Sequence, residues 1–250
     1  MICRAQHTVS YRIEELLIVT IADLLRERSH VAVGAASPIP GAGALLARER
    51  SPALRVSVLG SERHNTFTDG GRELFDCAAQ GRIDGFFLGG AQIDGRANIN
   101  LVGIGDYPAQ PVRFPGSFGS AYLYFLVPNV ILFSLAHSQR NLVSKVDFVS
   151  APGTSGENIF RPGGPRFLLT SRCRFYFDQS VPGFRLRSVH PGETIETVTD
   201  NTGFEFDVTE EVAVTRIPSV EELELIRGPI GSAIGETYPA FARTVLGIGC

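Results

Sequence analysis

Apolar residues near the start of the chain recur with the period of an α-helix. They fall three and four positions apart, which places them on one helical face. The residues of this face are Ile13, Leu16, Leu17, Ile21, Leu24 and Leu25. Serine is a residue type that caps helix N-termini, so we expect Ser10 to cap this helix.

Short apolar segments then alternate with helical ones as far as residue 135. The pattern predicts strands at 31–36, 54–59, 83–88 and 130–135, and helices at 41–50, 71–80 and 121–127. Helices that separate short apolar strands require parallel pairing with right-handed crossovers. The pattern therefore predicts an α/β fold, built on an open, mostly parallel sheet with flanking helices.

After about Lys145 the predicted strands come closer together, which favours antiparallel members and hence mixed strands in the C-terminal half. These strands are expected at 146–150, 167–170, 173–177 and 184–189. A last helix is predicted at 220–227, with Glu221 and Glu222 in its first turn, where carboxylates favour the helix dipole. No repeat or linker divides the chain. We expect a single domain over residues 1–250, with 228–250 as a candidate C-terminal extension.

Composition narrows the classes of partner. The net charge of −3 gives no electrostatic reason to expect nucleic acid or an anionic membrane as partner. The apolar run at 16–22 is too short to span a bilayer and is flanked by Glu15 and Asp23, which does not suit a signal peptide. Small molecules and other protein subunits remain as expected partners.

The four cysteines predict neither a disulfide framework nor a metal site. Cys3, Cys77, Cys173 and Cys250 lie far apart, without Cys-x-x-Cys spacing or nearby histidine pairs. Unpaired cysteines of this kind are typical of a reducing compartment. We therefore expect a cytoplasmic protein with no bound metal.

The strand at 83–88 ends on a glycine pair, Gly89 and Gly90, which Ala91 and Gln92 follow. Glycines at the end of a buried strand allow a ligand to approach backbone N–H groups closely. Small polar residues, among them Asn98, come soon afterwards. This strand end is the first candidate binding site.

Seven segments, in order along the chain, resemble the second, B-type subunit of class I coenzyme A (CoA) transferases of the glutaconate type. They are Ser37-Pro38, Gly89-Gly90-Ala91-Gln92-Ile93-Asp94, Pro115-Gly116-Ser117-Phe118-Gly119-Ser120-Ala121, Lys145-Val146-Asp147-Phe148, Leu186-Arg187-Ser188-Val189-His190-Pro191-Gly192, Thr202-Gly203-Phe204 and Glu221-Glu222-Leu223. The resemblance implies the NagB/RpiA-like fold of that CoA-transferase subunit. It also implies a homologous A-type partner subunit, in a heterodimer or heterotetramer.

The same resemblance implies a reaction. In class I transferases a glutamate carboxylate attacks the thioester of an acyl-CoA, and the released thiolate then opens the mixed anhydride to give a glutamyl-CoA thioester. This chemistry needs a nucleophile, backbone N–H groups for the oxyanion, and a groove for pantetheine. The implied function is CoA transfer between carboxylic acids, with a carboxylated acyl-CoA as substrate and no permanently bound cofactor.

Only some of the site residues that the family uses have a counterpart in this sequence. The glycine-rich turn that supplies an oxyanion N–H aligns with Gly119 and Ser120. The glutamate position falls at Val58 or Leu59, which cannot attack a thioester, so Glu62 is the candidate nucleophile. The residues expected to bind the CoA thioester are Ser37, Gly89, Gly90, Ala91, Gln92 and Asn98.

Other functions stay open. Relatives without the glutamate use the same subunit pair to decarboxylate acyl-CoAs or to hydrolyse C–C bonds in them, and a further alternative is a non-catalytic subunit that completes a partner's pocket. His64 and His190 are weaker candidates for proton transfer. Gly41-Ala42-Gly43 followed by Glu62 suggests a dinucleotide site, but Leu46 stands where the third glycine is needed.

Overall fold

The computed structural model describes residues 10–249. Its centre is a sheet of eight strands, in the spatial order β12-β11-β10-β9-β8-β3-β1-β2. These strands are β1 (His30–Val33), β2 (Arg55–Val58), β3 (Gly85–Leu88), β8 (Val130–Ser134), β9 (Pro165–Thr170), β10 (Cys173–Asp178), β11 (Gly183–Val189) and β12 (Asp207–Val214). Two hairpins lie between β3 and β8: β4 (Gln92–Ile93) with β5 (Ile99–Asn100), and β6 (Gly103–Ile104) with β7 (Val112–Arg113).

The sheet is mostly parallel, as the alternating pattern predicts. Parallel pairs join β2, β1, β3, β8 and β9, whereas β10 is antiparallel to both of its neighbours. β12 then pairs parallel with β11. The carboxyl ends of all strands of this sheet except β10 therefore lie at one edge.

The helices of the described chain cover both faces of the sheet. They are α1 (Ile13–Leu24), α2 (Pro38–Arg50), α3 (Gly70–Ala79), α4 (Ser120–Leu126), α5 (Ile195–Asp200), α6 (Val220–Leu225), a π-helical turn (Ile226–Ile230), α7 (Gly231–Gly235) and α8 (Pro239–Thr244). Alternate residues of β3 serve opposite cores: Phe86 and Leu88 pack with α3 and α4, while Phe87 packs with α1 and α2. No helix in residues 10–249 is both long and apolar enough to cross a bilayer.

The predicted cap of α1 is wrong. Arg12, not Ser10, precedes the first turn, and its backbone N–H donates to the Glu15 carboxylate at 2.8 Å. Glu15 is buried and also pairs with Arg227, whose Nε lies 2.6 Å from Oε1. A long-range ion pair therefore sets the helix start in place of a serine hydroxyl.

The predicted strand at 146–150 is also wrong. This segment forms no strand; instead it packs on the hairpins through bonds such as Asp147 N–H to Gln92 Oε1 at 3.0 Å. The sequence pattern missed β12 because most of its side chains are exposed, as expected of an edge strand. The helix predicted at 41–50 begins at Pro38, since proline is favoured in a first turn, where an N–H is not needed.

The glycines of the suspected dinucleotide motif lie inside α2. A Cβ at Gly43 would overlap Ile21 of α1, and one at Gly41 would lie 2.8 Å from Ile234 Cδ1. These glycines let α2 approach its neighbours closely. They do not form the strand-to-helix turn that a pyrophosphate requires.

Candidate functional site

The carboxyl edge of the sheet has a point at which the chain direction reverses. From β1 the chain passes through α2 to β2 on one side, and from β3 it proceeds to β8 on the other. Open α/β sheets bind ligands in the crevice at such a point. A crevice of about 280 Å³ lies there. It is lined by Ala36, Ser37, Pro38, Ile39, Pro40, Phe87, Leu88, Gly89, Phe133 and Leu135.

Two residues expected to bind the thioester, Ser37 and Gly89, line this crevice. Gly89 lies close to β8, because a Cβ added there would stand 3.1 Å from the Phe133 carbonyl oxygen. The Ser37 N–H donates to the Tyr238 hydroxyl at 3.3 Å. The structure thus brings a residue after β1, one after β3 and one from the C-terminal segment to a single place.

The crevice is apolar. Not one of its ten lining residues carries an ionisable side chain. The first turn of α2 contains Pro38 and Pro40, which have no N–H to donate. The Gly41 N–H bonds to the Ser37 carbonyl at 2.9 Å. The helix start that faces the crevice therefore has fewer free donors than an ordinary helix N-terminus.

The remaining predicted binding residues mainly hold the hairpins together. Gly90 must be glycine because a Cβ would lie 2.5 Å from Ile99 Cγ2. The Ala91 N–H donates to the Asn100 carbonyl at 3.0 Å, and Gln92 Oε1 accepts from Asn100 Nδ2 at 2.7 Å. Contact of these residues with a ligand stays a prediction.

Asn98 lies in a second groove, of about 700 Å³, which Arg96 and Lys145 also line. Its own polar atoms are engaged: Nδ2 donates to Asp94 Oδ2 at 3.1 Å and Oδ1 accepts from the Gly153 N–H at 3.2 Å. Asn98 therefore shapes the wall of this groove, and its contact with CoA likewise stays a prediction.

The two residues at which the resemblance predicts the family's glutamate, Val58 and Leu59, are apolar and packed. Val58 is buried and its N–H donates to the His64 carbonyl at 2.8 Å, while the Leu59 N–H donates to Val33 at 3.0 Å. Glu62 lies just beyond, with an exposed side chain. It follows β2 at the same edge as the crevice, beside β1.

A second carboxylate lies against the Glu62 loop. Glu236 Oε2 accepts from Ser61 Oγ at 2.7 Å and Oε1 accepts from the Glu62 N–H at 2.8 Å. These bonds, that of Ser61 first, lower the pKa of Glu236. Sequence reasoning missed Glu236, because about 170 residues separate it from this loop and no local motif marks it.

The turn predicted to supply an oxyanion N–H makes bonds within the protein instead. The Ser120 N–H donates to the Ser117 carbonyl at 2.8 Å, so this donor is already used. Gly119 packs on the ring of Phe75 so closely that a Cβ would overlap it. Phe118 has a φ of +42° and is 89% exposed. This turn is therefore held by the aromatic residues around it.

The two glycine corners belong to different elements. Gly89 follows β3 directly, at the carboxyl edge, whereas Gly119 is the residue before α4. They also have different neighbours: Phe133 for Gly89 and Phe75 for Gly119. That they form a joint cradle for one thioester stays a prediction.

The histidines in residues 10–249 bond mainly to other groups of the protein. His190 is buried, its Nδ1 lies 2.9 Å from Thr215 Oγ1, and burial lowers its pKa. His64 is half-buried, and burial followed by Arg48 lowers its pKa. Sequence reasoning missed His137, which bridges Thr170 Oγ1 at 2.7 Å and Thr202 Oγ1 at 3.0 Å.

No metal centre is found in the part of the chain that the structure describes. Its histidines, cysteines and carboxylates form no group of three placed to hold an ion. Cys77 and Cys173 are buried and unpaired. Burial raises the pKa of Cys173 to about 12, so it is not a reactive thiolate.

Comparison of the sequence with known proteins finds one family. The coenzyme A transferase model matches residues 11–201. The B-type subunit of 3-oxoadipate CoA-transferase from Pseudomonas knackmussii is 37% identical over 153 residues, which cover 59% of this chain and 58% of that protein. The corresponding subunit of glutaconate CoA-transferase from Acidaminococcus fermentans is 33% identical over 58% of this chain and 56% of that protein. The chain thus matches less than two thirds of either relative's length.

Solved structures share the fold over a longer span. Glutaconate coenzyme A-transferase from Acidaminococcus fermentans superposes with a TM-score of 0.80 and 25% identity, covering 96% of this chain and 99% of that one. IpdAB from Rhodococcus jostii gives 0.78 and 27%, covering 88% and 94%. A variant of the decarboxylase AibA/AibB gives 0.76 and 26%, covering 90% and 98%.

Proposed function

Because this chain belongs to the coenzyme A transferase family, we propose that it is the B-type subunit of a heteromeric enzyme that acts on an acyl-CoA thioester. The observation that carries this proposal is the crevice between the carboxyl ends of β1 and β3, lined by Ser37 and Gly89. Both residues belong to segments that resemble the family. The crevice lies where open α/β sheets bind their ligands.

The proposed reaction is transfer of CoA between carboxylic acids, with Glu62 as nucleophile. Its carboxylate would attack the thioester carbon, releasing CoA thiolate and leaving a mixed anhydride. The thiolate then attacks the glutamyl carbonyl of the anhydride, giving glutamyl-CoA and the free acid. Exposure of Glu62 at the edge that holds the crevice supports this role.

Trapping tests the covalent step. The chain, purified with its partner subunit, is incubated with acyl-CoA and then with hydroxylamine or borohydride, and its peptides are mapped by mass spectrometry. We expect modification at Glu62, its loss in Glu62→Gln, and no change in Glu27→Gln, an exposed glutamate between α1 and β1. A modified glutamate on the partner, or none, would contradict transfer through Glu62.

Decarboxylation or C–C hydrolysis of an acyl-CoA is the second candidate. What favours it is that the residues predicted to align with the family's glutamate are apolar, and that Val58 is buried and bonded. Such reactions keep thioester binding but need no glutamyl intermediate. A Glu62→Gln enzyme that retains turnover, with release of CO₂ or of a shortened acid, would identify this class.

The proposed partner is a homologous A-type subunit, in a heterodimer or its dimer. AibA/AibB and IpdAB are each named for two subunits. Full turnover by a monomer of this chain would contradict the proposal. A non-catalytic, pocket-completing role is a further possibility, which trapping on the partner alone would favour. We place the enzyme in the cytoplasm, as its widely spaced cysteines predict.

A further inference from the structure

Given the proposed function, the chemistry of the crevice indicates which class of acyl group the enzyme binds. We infer that the crevice binds an uncharged hydrocarbon portion of the acyl group. Neither an ω-carboxylate nor the pantetheine arm suits it. No lining side chain carries a charge, and the one polar side chain among them, that of Ser37, is already bonded.

Volume and lining suit a hydrocarbon chain. About 280 Å³ is slightly less than a typical small-molecule pocket, so it accommodates part of a ligand. The apolar walls come from Ile39, Phe87, Phe133 and Leu135. Each CH₂ group moved from water into such surroundings favours binding about fourfold.

A carboxylate has no counterpart in the crevice. None of the lining residues offers a guanidinium, ammonium or imidazole group. The prolines of α2 also remove two of the N–H groups with which a helix start usually binds anions. Burying an unpaired carboxylate there is unfavourable, whereas burying a methyl group favours binding.

Pantetheine is disfavoured for a related reason. Its two amides need donors and acceptors, and an amide buried without them weakens binding. The Ser37 hydroxyl donates to the Ala35 carbonyl at 3.2 Å, and its N–H is held by Tyr238. In the first turn of α2 this leaves the N–H of Ile39 without a partner in residues 10–249. Two amides would therefore depend on backbone groups alone, because Ser37 is the one polar side chain of the lining and its hydroxyl is already bonded.

An uncharged acyl portion differs from the carboxylated acyl group that the family resemblance implies. A carboxylate on the substrate would have to lie outside this crevice. The acyl portion that enters it carries no charge.

Thioether analogues test the inference without turnover. Binding of CoA and of S-ethyl-, S-butyl-, S-pentyl-, S-hexyl- and S-(4-carboxybutyl)-CoA to the purified complex is measured by calorimetry. We expect affinity to rise about fourfold per CH₂ over the first carbons. The carboxybutyl compound should bind at least tenfold more weakly than the pentyl compound.

A substitution in the crevice wall tests whether the dependence of affinity on chain length arises in the crevice. Leu135 is 44% exposed, so Leu135→Arg should fold, which a thermal melt verifies. It should flatten the dependence on chain length and tighten binding of the carboxybutyl compound. Val214→Arg, at an exposed position on the edge strand β12, should leave both unchanged.

The outcomes separate the two proposals. Tight binding of CoA with no dependence on chain length, or tighter binding of the carboxybutyl compound by the wild type, overturns the inference and leaves the proposed function standing. Failure of CoA and of every analogue to bind overturns the proposed function itself. An unchanged chain-length dependence in Leu135→Arg would also overturn the inference.

Discussion

At the scale of single residues, the ring of His137, at the carboxyl edge of the sheet, makes the stability of the fold depend on pH. It follows β8, and its ring bonds to Thr170 at the end of β9 and to Thr202 after α5. Burial, the largest cause, lowers its pKa to about 4 from 6.5. The folded protein therefore holds this ring neutral at pH values where the unfolded chain protonates it.

This neutral ring predicts a stability change with a defined sign. Between pH 4 and 6.5 the unfolded state binds more protons at His137, so stability is full above pH 6.5 and is lost as pH falls through this window. From pH 7 to pH 5 the loss due to this residue is about 2 kcal/mol. Urea unfolding at both pH values measures it.

His137→Asn is the comparison, because the pKa values of His30, His64 and His190 are lowered too and contribute to the slope. The variant should lose about 2 kcal/mol less between pH 7 and pH 5 than the wild type. Equal losses in the two proteins would mean that His137 titrates in the fold as it does in the unfolded chain.

At the scale of elements, α1 and α2 are close neighbours because α2 has a glycine at the contact. A Cβ at Gly43 would overlap Ile21, in the core that these helices share with the sheet. Gly43→Ala improves helix propensity by about 1 kcal/mol. Overpacking against α1 should outweigh this gain, with a net loss of about 1–2 kcal/mol by urea unfolding.

Gly71→Ala in α3 is the matched control. The nearest atom to its added Cβ is Cζ of the Phe118 ring, at 3.0 Å, and this ring is exposed and can move. This variant should be neutral or slightly stabilised. A stabilised Gly43→Ala protein would show that the helices can separate without loss.

At the scale of the whole molecule, we propose that the chain is one cooperative unit. The sheet uses strands from His30 to Val214, and the core between the sheet and helices α1 and α2 also includes Ile230, Ile234 and Leu246. Residues 228–249 therefore pack into the core, and deleting them would expose it.

Unfolding should accordingly be a single transition. In guanidinium chloride, far-UV circular dichroism and tyrosine fluorescence should give the same midpoint, since the chain has no tryptophan. A chain ending at residue 227 should fail to fold. Separate midpoints, or a stable truncated protein, would contradict a single unit.

Local sequence was sufficient for much of the fold. The apolar periodicity of α1 and the strands at β1, β2, β3 and β8 was predicted correctly, because buried parallel strands and amphipathic helices have distinct periods. The edge strand β12 was not, since its side chains are mainly exposed. The segment 146–150 looked like a strand because it is rich in valine and phenylalanine, but it bonds to the hairpins without joining the sheet.

The sequence by itself determined the α/β class, the family resemblance and the glycine and serine that line the crevice, because these depend on periodicity and on short motifs. Tertiary structure decided what surrounds them. It brought Tyr238 to Ser37 and Glu236 to the Glu62 loop, across more than 170 positions. It also placed the Ser120 N–H where it donates to the Ser117 carbonyl. Contacts between distant segments, and the hydrogen bonds that occupy a donor, leave no local pattern.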